Sequence, residues 1–249
     1  MQPTQIPYCG PAPMPAHLWS SWNFDPLLIA VFAVMAAGAL AMSRKSAAEA
    51  ARSPYGMLAL LVLLIAFVSP ICALASALFS ARIVHHLLLV AAAAPLLALA
   101  LPTRFERLPL SATFLAHTLL MWVWHAPLPY QWALSSVPFY WLMELSLFFS
   151  AFAMWQGILA ARAGPALSAL LGSIVQMGML GALLTFATRP LYDAHATTTL
   201  PYGLTPLGDQ QLAGLLMWVP AALPYLAMAL VIAWQLFGRA EPFTSPKTR

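Results

Sequence analysis

Two adjacent histidines, His85 and His86, open an otherwise apolar run, RIVHHLLLVAAAAPLLALALP, over residues 82–102. A carboxylate, Glu144, stands inside a second apolar run, His125, Asp209 and Met217 lie at or near the outer ends of others, and His195 lies in the loop before the last. Imidazole, thioether and carboxylate together make a ligand set for copper. Cu(I) favours sulfur and imidazole, and Cu(II) favours nitrogen and oxygen. An ionisable group inside an apolar segment is a functional candidate by default, which singles out Glu144. His86, His125, Glu144 and Met217 are the leading ligand candidates, with His85, His195 and Asp209 behind them. Neighbouring helical residues point about 100° apart. One of His85 and His86 is therefore expected to face the interior and the other the headgroups.

Each of these residues also has a plainer reading. Histidines at helix ends bridge the interface, and methionines fill apolar cores. Arg82 and Arg189 suit headgroup contacts. Asp209 suits a cap on the last helix, since an Asp at a helix start accepts backbone N–H bonds. Among enzyme signatures, HExxH, a P-loop, GxSxG and a Cys-based metal pair are all missing, so no catalytic role is expected. Cys9 and Cys72 form no CxxC pair. A disulfide between them is open, and two plain thiols are the reading adopted.

The elements that must carry these residues follow from composition. The 249 residues are 62% hydrophobic and 7% charged, with mean hydropathy +0.81. That excludes a soluble domain and suits an all-α, polytopic integral membrane protein, each span needing about 20 apolar residues. The apolar runs are continuous rather than alternating, so helices rather than a barrel are expected to satisfy the backbone in lipid. Seven transmembrane helices are expected, over residues 26–42, 55–78, 83–101, 110–124, 139–161, 165–188 and 210–237. They form one membrane domain (25–238), between an irregular N-terminal segment (1–24), not read as a cleavable leader, and a basic tail (239–249). The net charge of +4 does not point to nucleic acid.

The positions of the basic residues set an orientation. Arg44, Lys45, Arg52, Arg104, Arg107, Arg162, Arg239, Lys247 and Arg249 fall on one side, and only Arg82 and Arg189 on the other. The positive-inside rule then puts the N-terminus outside and the C-terminus in the cytoplasm. Tryptophans near the span ends, Trp155 and Trp234 at the inner ones, read as interfacial anchors. On this topology His17, His85, His86, His125 and His195 share the outer face, and His117 lies deeper in the fourth span.

Three stretches carry a family resemblance. PYGLTPLGDQQLAGLLMWVP, with Asp209, Gln210, Ala213, Gly214, Met217, Trp218 and Pro220, resembles the last-helix signature of the CtaG family of cytochrome c oxidase assembly factors. HHLLLVAAAAPLLALALP resembles its third-helix pattern through His86, Pro95 and Pro102, and WHAPLPYQWAL resembles its His-x-Pro-x-x-Tyr loop through His125, Pro127 and Tyr130. The resemblance implies a seven-helix protein of the bacterial inner (plasma) membrane that delivers copper to the haem-copper oxidase. Its implied partners are cytochrome c oxidase subunits, a periplasmic copper chaperone and membrane lipid. Where the family pattern has a His-Met pair before the leucine run, this chain has Arg82-Ile83. Where it has histidines at the start of the fifth span, this chain has Tyr140 and Glu144. Three readings stay open: His85, Glu144 and nearby methionines replace the altered ligands; the chain is an accessory or structural subunit of the oxidase without metal; or His86 and His125 are axial ligands of a haem.

Overall fold

Proline and glycine decide where the apolar runs break into helices. A computed structural model describes residues 7–44, 46–101 and 108–238. Lys45, Arg104, Arg107, Arg239, Lys247 and Arg249, six of the nine residues behind the orientation, lie outside the described residues, as do the tail 239–249, residues 1–6 and Pro102. Among the described residues every regular element is helical. They are α1 (Pro26–Ser43), α2 (Ala47–Phe67), α3 (Pro70–Ala77), α4 (Phe79–Leu87), α5 (Ala94–Ala100), α6 (Leu110–His125), α7 (Pro127–Ser135), α8 (Val137–Ala160), α9 (Ala163–Thr185), α10 (Pro206–Trp218) and α11 (Ala222–Gly238).

Five helical stretches are long and apolar enough to cross a membrane: Ala47–Phe67, Phe79–Ala100, Val137–Ala160, Ala163–Thr185 and Pro206–Leu236. Pro26–Ala41 is a shorter apolar helix, and α6 has the same length, 16 residues. The expected second span is two helices. Ser69 accepts the Ile71 N–H and Pro70 takes the first helical position, where its missing N–H costs nothing. The loop expected after the fourth span is a helix, α7, with prolines at its first turn.

The third span is continuous but wound as a π-helix over Leu88–Ala93, between α4 and α5. Pro95 has no N–H to give, which frees a carbonyl in the preceding turn. Trp155 Nε1–H donates to the Val90 carbonyl at 3.0 Å. Trp155 is therefore 1% exposed and holds α8 to the π turn, rather than anchoring an interface as expected.

α8 is central, packed by α5, α6, α7 and α9, while α10 bridges α9 and α4. The α9–α10 crossing is close because both partners are glycine there. A Cβ on Gly214 would lie 2.5 Å from the Gly181 carbonyl oxygen and 2.7 Å from the Thr185 nitrogen. Small residues allow such backbone approach between apolar helices. The Ala-Gly of the last-helix signature is thus a packing feature.

At one end of the bundle the N-terminal segment folds over α8. Cys9 and Cys72 form a disulfide, which corrects the expectation of two thiols. Tyr8 stacks on Tyr140 with centroids 5.0 Å apart and meets Trp141 edge-on at 4.9 Å. Tyr202 donates to the Pro13 carbonyl at 2.9 Å. No sequence spacing signals the pairing of Cys9 with Cys72, because it depends on where the segment folds back.

Candidate metal centre

Arg82, His85 and His86 stand at i, i+3 and i+4 in α4, which places all three on neighbouring parts of one helix surface. α4 starts without a side-chain cap of its own. Asp209, from α10, supplies one. Its carboxylate accepts the Phe79 N–H at 2.6 Å, the Ser80 N–H at 3.2 Å and the Ser80 hydroxyl. Asp209 was expected to cap its own helix, but Thr205 does that by accepting the Gly208 N–H. The long-range cap fixes the start of the helix that carries both histidines.

The α4 surface meets Glu144 on α8, and all four side chains are buried. Arg82 Nη1 donates to Glu144 Oε1 at 3.1 Å, and Arg82 Nη2 to the Ala75 carbonyl at 3.3 Å. The guanidinium lies 5.4 Å from the Tyr140 ring centroid. The expected headgroup contact of Arg82 is thus replaced by a buried ion pair. Neither charge could be buried without the other, because an unpaired ion away from water costs several kcal/mol, roughly.

Both histidines face the carboxylate. His85 Nδ1 is 3.6 Å from Glu144 Oε2, and His86 Nε2 is 3.6 Å from Oε1. These separations are too long for hydrogen bonds. The expectation that only one would turn inward fails for a simple reason. Glu144 comes between them, and His85 presents its near nitrogen while His86 presents its far one. Ligand atoms of His85, His86 and Glu144 all fall within 4.8 Å of one another.

His125, at the end of α6, packs edge-to-face on His86 with centroids 5.5 Å apart. Its Nδ1 lies 2.6 Å from the Met121 carbonyl oxygen. A carbonyl only accepts, so Nδ1 carries the proton and Nε2 holds a free lone pair. Neither ring nitrogen of His85 or His86, nor His125 Nε2, nor Glu144 Oε2 has a hydrogen-bond partner. Buried polar atoms are nearly always satisfied, so His85, His86 and Glu144, whose ligand atoms lie within 4.8 Å of one another, form a set able to hold a metal ion, with His125 packed against it.

The other expected ligands fall elsewhere. His195, in the 186–205 connection, has Nδ1 3.2 Å from the Ala77 carbonyl oxygen and Nε2 2.8 Å from the Tyr130 hydroxyl. Both nitrogens are used, and burial pushes its pKa down to about 4. Met217 is buried on α10, a helix that packs against α4. Asp209 is spent on its cap. Arg82 was missed as part of the site, although its i, i+3, i+4 relation to the histidines was readable.

A cavity of about 460 Å³ reaches Glu144 from the side of α1, between Leu28, Phe32, Phe67, Trp141 and Phe148. Apart from that wall the cluster is enclosed. Phe67 covers His85 edge-on at 4.9 Å and stacks on Trp141 at 5.4 Å.

Comparison with known protein families matches residues 103–239 to the cytochrome c oxidase caa3 assembly factor family (Caa3_CtaG). The chain belongs to this family. Membership makes it a cytochrome c oxidase assembly factor that associates with the oxidase, and the apolar helices make it a membrane protein. The match takes in His117, His125, Glu144, His195, Asp209 and Met217, while His85 and His86 precede it. No curated protein and no solved structure matches the chain.

Proposed function

We propose that this assembly factor carries copper as cargo for the oxidase. The ion would be held by His85, His86 and Glu144, with His125 beside them. The observation that carries this reading is the set of buried, unpartnered ligand atoms within 4.8 Å of one another. Imidazole nitrogen is a good copper ligand. Arg82 already balances the charge of Glu144, so the site as a whole is neutral. A neutral pocket holds a cation less tightly than an anionic one, which suits an ion that must be passed on.

The chain is further proposed to cross the bacterial inner membrane seven times, with α1 and α6 as the two shorter spans and the N-terminus outside. Arg44, Arg52 and Arg162 lie at the cytoplasmic ends in this arrangement, and the cluster lies toward the outer face. There it could meet a periplasmic copper chaperone and the oxidase, with lipid around the apolar flanks. The edge-to-face packing of His86 on His125 fills the space a haem between them would need, which disfavours the haem reading.

A deletion strain tests the role. Deletion is expected to abolish oxidase activity, and the activity is expected to return with added copper or with the wild-type gene, but not with His86→Ala/His125→Ala. Full rescue by that double variant without added copper would favour a non-metal accessory subunit.

A further inference from the structure

α1 packs chiefly on α2. This leaves a gap between α1 and α8, which is the mouth of the cavity that reaches Glu144. Val31 on α1, with Leu145 and Phe149 on α8, lines the cavity and is also exposed on the flank of the bundle. The cavity therefore opens sideways, toward lipid. Its volume, about 460 Å³, falls within the roughly 300–1,000 Å³ typical of ligand sites.

Most of its wall is apolar: Leu28, Phe32 and Met35 from α1, Leu63 from α2, Leu97 from α5 and Phe148 from α8. Water does not suit such a space, because a buried water needs roughly two to four polar partners. Left empty, the lining would forfeit its dispersion contacts. The fitting occupant is a hydrocarbon chain from the surrounding bilayer.

One end is polar. Tyr8 and Asp25 line the cavity where α1 begins. The Asp25 carboxylate accepts the Tyr8 hydroxyl at 2.9 Å and the Leu27 N–H at 2.8 Å. Among the described residues no Lys or Arg forms an ion pair with it, since each ion pair there involves Glu144. Trp22 and Phe24, exposed just before it, are residues suited to the headgroup level. From Asp25 down to Met35 the chain descends about 15 Å at roughly 1.5 Å per residue. That is half of a hydrocarbon core about 30 Å thick, the depth of one leaflet.

From this geometry we infer that the α1–α8 cavity is a phospholipid site, taking one acyl chain of an ethanolamine lipid whose ammonium group pairs with Asp25. The length of the cavity fits the chain, and the unpaired carboxylate at its mouth fits a cationic headgroup. Because the cavity reaches Glu144, the bound chain completes the apolar cover of the cluster on the α1 side. The inference needs only a chain embedded in a bilayer, and is independent of the copper reading.

The test uses the full-length protein in mild detergent, offered an equimolar mixture of phosphatidylethanolamine and phosphatidylglycerol, with retained lipid identified by native mass spectrometry. Wild type is expected to keep one phospholipid per chain, the ethanolamine lipid severalfold over the glycerol lipid. Asp25→Asn, which keeps the acceptor for the helix start, is expected to lose that preference. Leu145→Trp, which adds bulk at the mouth, is expected to lose the lipid. Gel filtration and circular dichroism matching wild type would establish that both variants are folded. In vesicles of the same lipids, a photoreactive diazirine on the ethanolamine lipid's acyl chain is expected to label segments 28–35 and 141–149 ahead of the outward faces of α9 and α11. Equal retention of the two lipids by wild type, no retained lipid, unchanged retention in Leu145→Trp, or labelling spread evenly over all helices would each overturn the site. No metal enters the experiment, so the copper reading stands or falls separately.

Discussion

At the residue scale, the buried Arg82–Glu144 pair governs the site. Removing one member strands the other charge, and breaking a buried pair in this way costs about 3–5 kcal/mol. Glu144→Leu and Arg82→Met are each expected to lower stability by that order in denaturant unfolding, and the double variant by clearly less than the sum. Strict additivity would mean that the two side chains do not depend on each other. Much of this was legible in the sequence. His85, His86 and Glu144 stood out as polar residues in apolar runs, and they do meet. Arg82 did not stand out, since an arginine at a span end has a simpler reading at the headgroups. His195 and Asp209 were legible as polar residues but not in their roles, which depend on partners distant in sequence. The Tyr130 hydroxyl and Ala77 carbonyl occupy His195, and the start of α4 occupies Asp209.

At the element scale, α4 is held from outside itself. Its first turn takes its cap from Asp209, and its last turn runs into the π segment clamped by Trp155. Loss of a side-chain cap costs about 0.5–2 kcal/mol. Asp209→Ala is expected to fall in that range in thermal unfolding and also to weaken copper binding, because it frees the helix that carries His85 and His86. Asp209→Asn, which keeps acceptor capacity, is expected to fall between the two. Unchanged unfolding and copper affinity in Asp209→Ala would contradict the positioning role. Most helices were readable from apolar runs, and Pro70 and Pro95 fall within two of those runs. Their consequences differ, and the reason is local. Ser69 is there to cap a new helix at Pro70, whereas Trp155 satisfies the carbonyl side near Pro95 and keeps the helix running. α7 was missed because its three polar and two proline residues read as a loop.

At the scale of the whole molecule, the connection 186–205 and the N-terminal segment close one end of the bundle over the cluster. His195 pins that connection through Tyr130 and Ala77. It is held neutral, with a pKa lowered from 6.5 to about 4 by burial. Between those values the unfolded chain binds more protons than the folded one, so stability rises with pH across the window and is lost as pH falls through it. Hydrogen exchange of residues 190–205, corrected for intrinsic rates, is expected to be slow at pH 7 and faster at pH 5. Equal protection would show that His195 does not hold the connection. The closure was not legible in the sequence, because it depends on the Cys9–Cys72 disulfide and the Tyr8–Tyr140 stack, whose partners are far apart in the chain. The most direct measurement is the copper content of gently purified protein after anaerobic Cu(I) loading, compared with His85→Ala/His86→Ala. Copper held on the cluster predicts bound metal in the wild type and about one equivalent less in the variant. A wild type that stays metal-free, or a variant that binds as much copper as the wild type, would contradict it.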